Sequence, residues 1–253
     1  MKLTSENYYS LEADKEYFSA SQVKSFLNCE AQALAQIRGE YEQPTSTALL
    51  MGSYVDAYFD GGVSEFSKEH PEIFNSRTGE LKADFKKAEL MIERAKSSPL
   101  FMEYLEGEKQ KIFTGEIAGV PFKAKFDVYV PGKRIVDLKT VRDLEPCYKE
   151  GAGRISPIEY WHWDLQLAIY QELEGNKLPC YLAIITKEEP SDIRLIQIPQ
   201  TILDAEMDYL KQILPRLDAI KKGIVEPERC DHCAYCRQSR VLTEPEVFNI
   251  LED

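Results

Sequence analysis

The sequence predicts an α/β (α+β) domain, and three observations carry that expectation. The hydrophobic period changes along the chain, from helical spacing in the first hundred residues to two-residue alternation between about 111 and 140, back to helical spacing near 156–176, and to alternation again over 180–198. Capping and turn residues stand where the period changes. The chain has 253 residues, 43% hydrophobic and 11% aromatic, enough to bury a large core. The expected division is a single domain over 1–253, with a helical part at 1–108, a sheet-bearing core at 109–200, and a final helix with a cysteine motif at 201–253.

Taken in order, Ser19 is a suitable N-cap for a helix running to Arg38, which Gly39 would stop. "STALLMGSYVDAYFDGG" reads as a second helix closed by Gly61 and Gly62, and "KADFKKAELMIERAKSSPLF" as a third, amphipathic one. Strands are expected at about 111–117, 120–130 and 133–140, the last two joined by the turn "PGK". "SPIEYWHWDLQLAIYQELEGN" is expected to be one helix, with Pro157 early and Gly175 just past its end. "CYLAIITK" and "IRLIQI" are two further strands linked by "EEPSD", and a long helix over 202–222 leads into the cysteines. Helices, three strands, a helix, two strands and a helix make a mixed layered domain.

Composition narrows the function. No apolar run approaches the roughly 20 residues that span a bilayer, and the N-terminus lacks the apolar stretch of a signal peptide, so a cytoplasmic protein without membrane partners is expected. In that compartment six cysteines point to thiols or metal ligands rather than disulfides. A net charge of -12 argues against general binding of polyanions, yet the stretch from Val120 to Arg142 holds six Lys or Arg against two Asp, a local balance of +4 that suits a phosphate-facing surface.

That stretch also holds the candidate chemistry. Strand alternation places Asp137 and Lys139 side by side, opposite Val136 and Leu138. On the preceding strand Ala124, Phe126 and Val128 are expected to share one face, leaving Lys123, Lys125, Asp127 and Tyr129 on the other, where Asp127 meets Asp137. Asp is depleted in strands, and two adjoining carboxylates repel unless a cation or proton lies between them. A divalent ion such as Mg2+ or Mn2+ accounts for the pair, with Lys139 orienting a water for attack on a phosphodiester. Solvated carboxylates paired with Lys139 are the plainer reading. The next helix is apolar almost all round yet carries Gln166 and Tyr170 on one stripe, where buried polar groups need partners.

Asp127, then "DLKT" from Asp137, then Gln166 and Tyr170, together with "SASQVKSFLNCEAQALA" and "ALLMGSYVDAYF", resemble the PD-(D/E)XK nucleases, in particular their RecB-like and RecE-like exonuclease branch from phages and prophages. The resemblance spans about Ser19 to Cys236. It implies a restriction-endonuclease-like core with a central mixed sheet flanked by helices. It also implies a two-metal site of Asp127, Asp137 and the carbonyl of Leu138, with Lys139 positioning the nucleophile and Gln166 and Tyr170 steadying the site or touching substrate. A DNA exonuclease acting with a phage-type single-strand annealing protein in recombination follows from it, as do relatives that assemble as rings, hence a homo-oligomer. Where the branch has Gly-x3-His, this chain has Gly52 and Asp56; Asp56 is the corresponding ligand for a hard cation. Glu116 is a further acidic candidate. The alternative is a noncatalytic metal- or cluster-binding module that binds DNA or a protein partner on the same fold.

Cys230, Cys233 and Cys236 leave a four-ligand site one short, and Cys29 is the candidate to complete it. Iron-sulfur relatives join one N-terminal cysteine to three near the C-terminus around a 4Fe-4S cluster, which the resemblance implies here. Zn2+ is the alternative, with His232 available as a ligand. Cys147 and Cys180 are expected to serve packing, His70 to lie at the surface and His162 in the core.

Overall fold

Residues 1–242 are described by the computed structural model; the rest of the expected C-terminal segment, 243–253, lies outside the described residues. Seven α-helices and one 3-10 turn (Pro71–Ile73) precede the first strand: α1 (Leu11–Glu16), α2 (Ala20–Asn28), α3 (Glu30–Arg38), α4 (Thr47–Phe59), α5 (Val63–Glu69), α6 (Ala83–Lys96) and α7 (Pro99–Tyr104). Ser10, Ser19, Ser46 and Ser98 cap α1, α2, α4 and α7, each hydroxyl accepting a first-turn N–H that has no partner within its helix. Strands β1 (Glu108–Ile117), β2 (Val120–Val130) and β3 (Arg134–Val141) follow, then a small hairpin of β4 (Cys147–Lys149) and β5 (Gly153–Ile155). The chain continues through α8 (Pro157–Tyr160), α9 (Trp163–Glu174), β6 (Cys180–Thr186), β7 (Ile193–Ile198), α10 (Gln200–Lys221) and α11 (Ala234–Gln238).

The main sheet has the order β1-β2-β3-β6-β7, antiparallel throughout except for the parallel pair β3 and β6, which α9 connects. It is the mixed central sheet expected. One face carries Ile135, Leu182 and Ile184 against residues of α2, α3, α9 and α10. The other carries Val136, Leu138, Ala183 and Ile185 against α4, α6 and α7. Helices on both faces explain why β6 reads as a continuous apolar run, and why every residue from Trp163 to Gln171 in α9 is buried.

Several local expectations are corrected. Phe126 lies in the first core and Val128 in the second, although their spacing should place them together. Alternation breaks at Asp127, and Gln110, in the matching register position of β1, has a left-handed φ of 51°. The helix expected over 19–38 is two, because Cys29 is extended (φ -166°, ψ 110°). The segment 82–101 divides where Ser98 caps a new helix beginning at Pro99. The segment 156–176 divides at His162, whose φ is 51°; that residue is half-buried at the bend rather than in the core. The short α1 and α5 and the β4–β5 hairpin have too few residues to show a period.

Candidate active site and cysteine centre

Asp56, Asp127, Asp137, Leu138, Lys139, Gln166 and Tyr170, expected from the sequence to act together, all line one cavity of about 510 Å3. The parallel pairing of β3 with β6 fixes Asp137 and Lys139 at neighbouring positions on the face toward α9. Asp127 reaches across from β2, where its Oδ2 accepts the backbone N–H of Leu138 at 2.9 Å. Asp56 comes from α4, which approaches β3 closely at Gly52: a Cβ there would stand 2.9 Å from Thr140 Oγ1. Gly52 and Asp56 share a helix face, so the missing side chain of one lets the other reach the cavity.

Asp137 is the best-held group. Its Oδ1 accepts from Gln166 Nε2 at 2.7 Å, and Gln166 lies 2.9 Å from the Tyr170 hydroxyl, which in turn contacts the carbonyl of Lys125 at 3.3 Å. Lys24 Nζ donates to Gln166 Oε1 at 2.6 Å, so a cation on α2 orients the amide whose NH2 meets Asp137. Asp137 Oδ2 is buried and pairs with the Lys139 ammonium 2.5 Å away.

Electrostatics mark the cavity as short of positive charge. Burial, then the charge of Asp137, pushes the Asp127 carboxyl up to about 7. Burial and Asp127 push Asp56 upward in the same way. Burial disfavours the Lys139 ammonium, but Asp137 and Asp127 outweigh it and raise its affinity for a proton. Burial and the charge of Lys139 bring Lys24 down to about 8. Crowded, buried carboxylates fit a divalent cation, which would relieve their repulsion.

Other expected features fall elsewhere. Glu116 is exposed and does not line the cavity. The basic stretch is largely spoken for: Lys123 is 1% exposed and bonds Asp14 Oδ1 at 2.7 Å, Arg134 stacks over Tyr104, and Arg142 pairs with Asp143. Lys125 does line the cavity, with the rings of Tyr8 and Tyr9 beside it. Lys24 and the two tyrosines escaped sequence reasoning because helix spacing says nothing about a partner 142 positions away.

Cys29, Cys230, Cys233 and Cys236 converge, their sulfur atoms all within 4.8 Å of one another. Cys29 terminates α2 and caps α3, its sulfur accepting from Gln32 N at 3.5 Å, which is why the helix breaks there. Cys230 and Cys233 accept from the backbone N–H of Cys233 and Cys236, each at 3.3 Å. Burial works to raise both Cys230 and Cys233; the N–H groups of Cys233 and His232 and the neighbouring thiols bring Cys230 down to about 6, whereas burial and the thiols facing it push Cys233 up to about 12. His232 is exposed and outside the group, so its expected role as a substitute ligand is not realised. Cys180 is buried in the main core, as expected; Cys147 is half-buried in the outer hairpin, and His70 is partly exposed beside Glu72.

A mixed five-stranded sheet with Asp, Asp-x-Lys and Gln-x3-Tyr meeting at one cavity defines a PD-(D/E)XK-type fold and site. The chain belongs to the family described as PDDEXK-like domain of unknown function (DUF3799), whose profile matches residues 19–239. A crystal structure of a candidate exonuclease from Eubacterium rectale is 43% identical, covers 98% of this chain and 97% of its own, and superposes with a TM-score of 0.94. A second solved structure, SSO0001, is 14% identical over 76% of this chain and 85% of its own, with a TM-score of 0.30, and carries no argument here. No curated protein matches.

Proposed function

We propose that the protein is a metal-dependent DNA exonuclease that hydrolyses phosphodiester bonds at the ends of linear DNA. The observation that carries this reading is the convergence of Asp56, Asp127, Asp137 and Lys139 in one cavity, where burial and crowding push the carboxyls of Asp56 and Asp127 upward. The family and the Eubacterium rectale candidate exonuclease support it. Asp56, Asp127, Asp137 and the Leu138 carbonyl would hold Mg2+ or Mn2+, which supplies Lewis-acid polarisation of the phosphate and activation of water. Lys139 orients the attacking water and offsets charge on the phosphate. Gln166, held by Lys24 and Tyr170, keeps Asp137 in place. A cytoplasmic role in phage-type recombination, with a single-strand annealing protein and a homo-oligomeric assembly, accords with the resemblance. The noncatalytic alternative has no observation in its favour, since all five residues of the motif set line the cavity. Incubation with linear duplex and single-stranded DNA in Mg2+ or Mn2+ tests the reading; absence of cleavage in both ions overturns it.

Asp56→Ala raises the Mg2+ or Mn2+ concentration needed for half-maximal activity, read from a metal titration; an unaltered titration would remove Asp56 from the metal site. Lys24→Met lowers kcat about tenfold, the effect of losing one charged hydrogen bond of roughly 1.5–3 kcal/mol that orients Gln166. The KM for DNA should change little, while the melting temperature falls by several degrees because the buried Gln166 Oε1 is left without its donor. A kcat equal to the parent's shows that Gln166 needs no such support.

A further inference from the structure

The resemblance implies a 4Fe-4S cluster at the four cysteines, and the sulfur positions do not fit one. We infer that the centre instead holds a single tetrahedral ion, zinc. Zinc bonds thiolate at about 2.3 Å, so four sulfurs at the corners of a tetrahedron around it stand roughly 3.8 Å apart. Here Cys29 Sγ and Cys236 Sγ are 3.5 Å apart, and Cys230 Sγ and Cys236 Sγ 3.9 Å apart. All four sulfurs lie within 4.8 Å of one another. A four-iron cluster places a whole iron-sulfide cube between its thiolates, each bound to a different iron at a different corner. Its ligands must therefore stand well beyond the distances that one ion requires.

The surroundings agree with the smaller guest. Cys29 and Cys236 are buried, at 5% and 0% exposed, and Ala31 and Tyr235 pack against them, so the group closes on itself. The Cys-x2-Cys-x2-Cys run doubles back tightly, with Asp231 in the left-handed region at φ 61° and each of the first two sulfurs receiving the N–H three residues on. These N–H contacts hold the run in its doubled-back form, with its sulfurs beside that of Cys29. Tetrahedral S4 donor sets take zinc or iron, and a redox-inactive ion suits a centre remote in chemistry from the oxygen-lined cavity. The inference concerns the cysteines alone and stands whether or not the cavity cleaves DNA.

The test is metal and sulfide analysis of the full chain purified under strict anaerobiosis, with its visible spectrum. The expected result is colourless protein carrying one zinc per chain and no inorganic sulfide. Exchange into Co2+ should produce the intense visible bands of a tetrahedral cobalt thiolate. Cys29→Ser and Cys233→Ser should each lose the zinc, whereas Asp137→Asn should retain it, which separates this centre from the carboxylate site. Brown protein with iron and sulfide overturns the inference, as does a single iron without sulfide. Protein with no bound metal and no cobalt bands overturns it too, and so does zinc that survives both cysteine substitutions.

Discussion

Asp137→Asn and Lys139→Ala each lower cleavage of linear duplex DNA at least about a hundredfold, comparable with removing other preorganised charges from active sites. The two substitutions differ in what they do to the fold, and the difference is informative. Asn preserves the size of Asp137 and can still meet Gln166, while removing one of three crowded carboxylates; burial and Asp137 together are what push Asp127 upward. Asp137→Asn should therefore melt no lower than the parent in metal-free buffer, even as activity disappears. Lys139→Ala removes the ammonium 2.5 Å from Asp137 and leaves the carboxylates facing one another, so it should lose both activity and stability. Thermal melts in chelator beside initial rates in Mg2+ or Mn2+ check both. Either variant digesting DNA at the parent rate would end the assignment of this pair.

Cys29→Ser lowers the melting temperature by about 10 °C, from a loss of roughly 3–5 kcal/mol. Cys29 and Cys236 are 207 positions apart, so the centre ties the junction of α2 and α3 to the far end of the chain and restricts the unfolded ensemble. The same junction is held by Arg216, which pairs with both Glu30 and Glu228. Those are exposed ion pairs of modest value, and they do not replace the centre. Cys147→Ser, on the outer hairpin and outside the cluster, should shift stability by no more than about 0.5 kcal/mol. Melting curves of the two variants side by side measure this; equal melting temperatures would show that the cysteines near the termini bear no structural load.

Much of the site was legible because its members sit at short, regular spacings within single elements. Asp137 and Lys139 share a strand face by two-residue alternation, and Gln166 and Tyr170 share a helix stripe by the i, i+4 rule. Gly52 and Asp56 obey the same helix rule. What escaped was whatever depends on a distant segment or on a departure from regular geometry. Glu116 has a suitable charge, but it sits at the far end of β1, opposite Pro121. Lys123 belongs by alternation to a surface facing phosphate, yet α1 supplies Asp14 and the chain before it the carbonyl of Tyr8, which together bury the ammonium.

The sequence by itself determined the layered mixture of helices and strands, the Ser19 cap that begins α2, and the placing of an acid beside a lysine on one strand. These follow from periodicity and local hydrogen bonding, which need only a few neighbouring residues. Only the tertiary structure decided that the helix after Ser19 breaks at Cys29, since no glycine or proline announces it. The sulfur's place among Cys230, Cys233 and Cys236 stands in for the lost helical continuity. Only the tertiary structure, too, breaks the alternation of β2 at Asp127 and brings Lys24 to Gln166. Such contacts join segments far apart in the chain, and their energy exists only once the sheet and both helical layers have closed around the cavity.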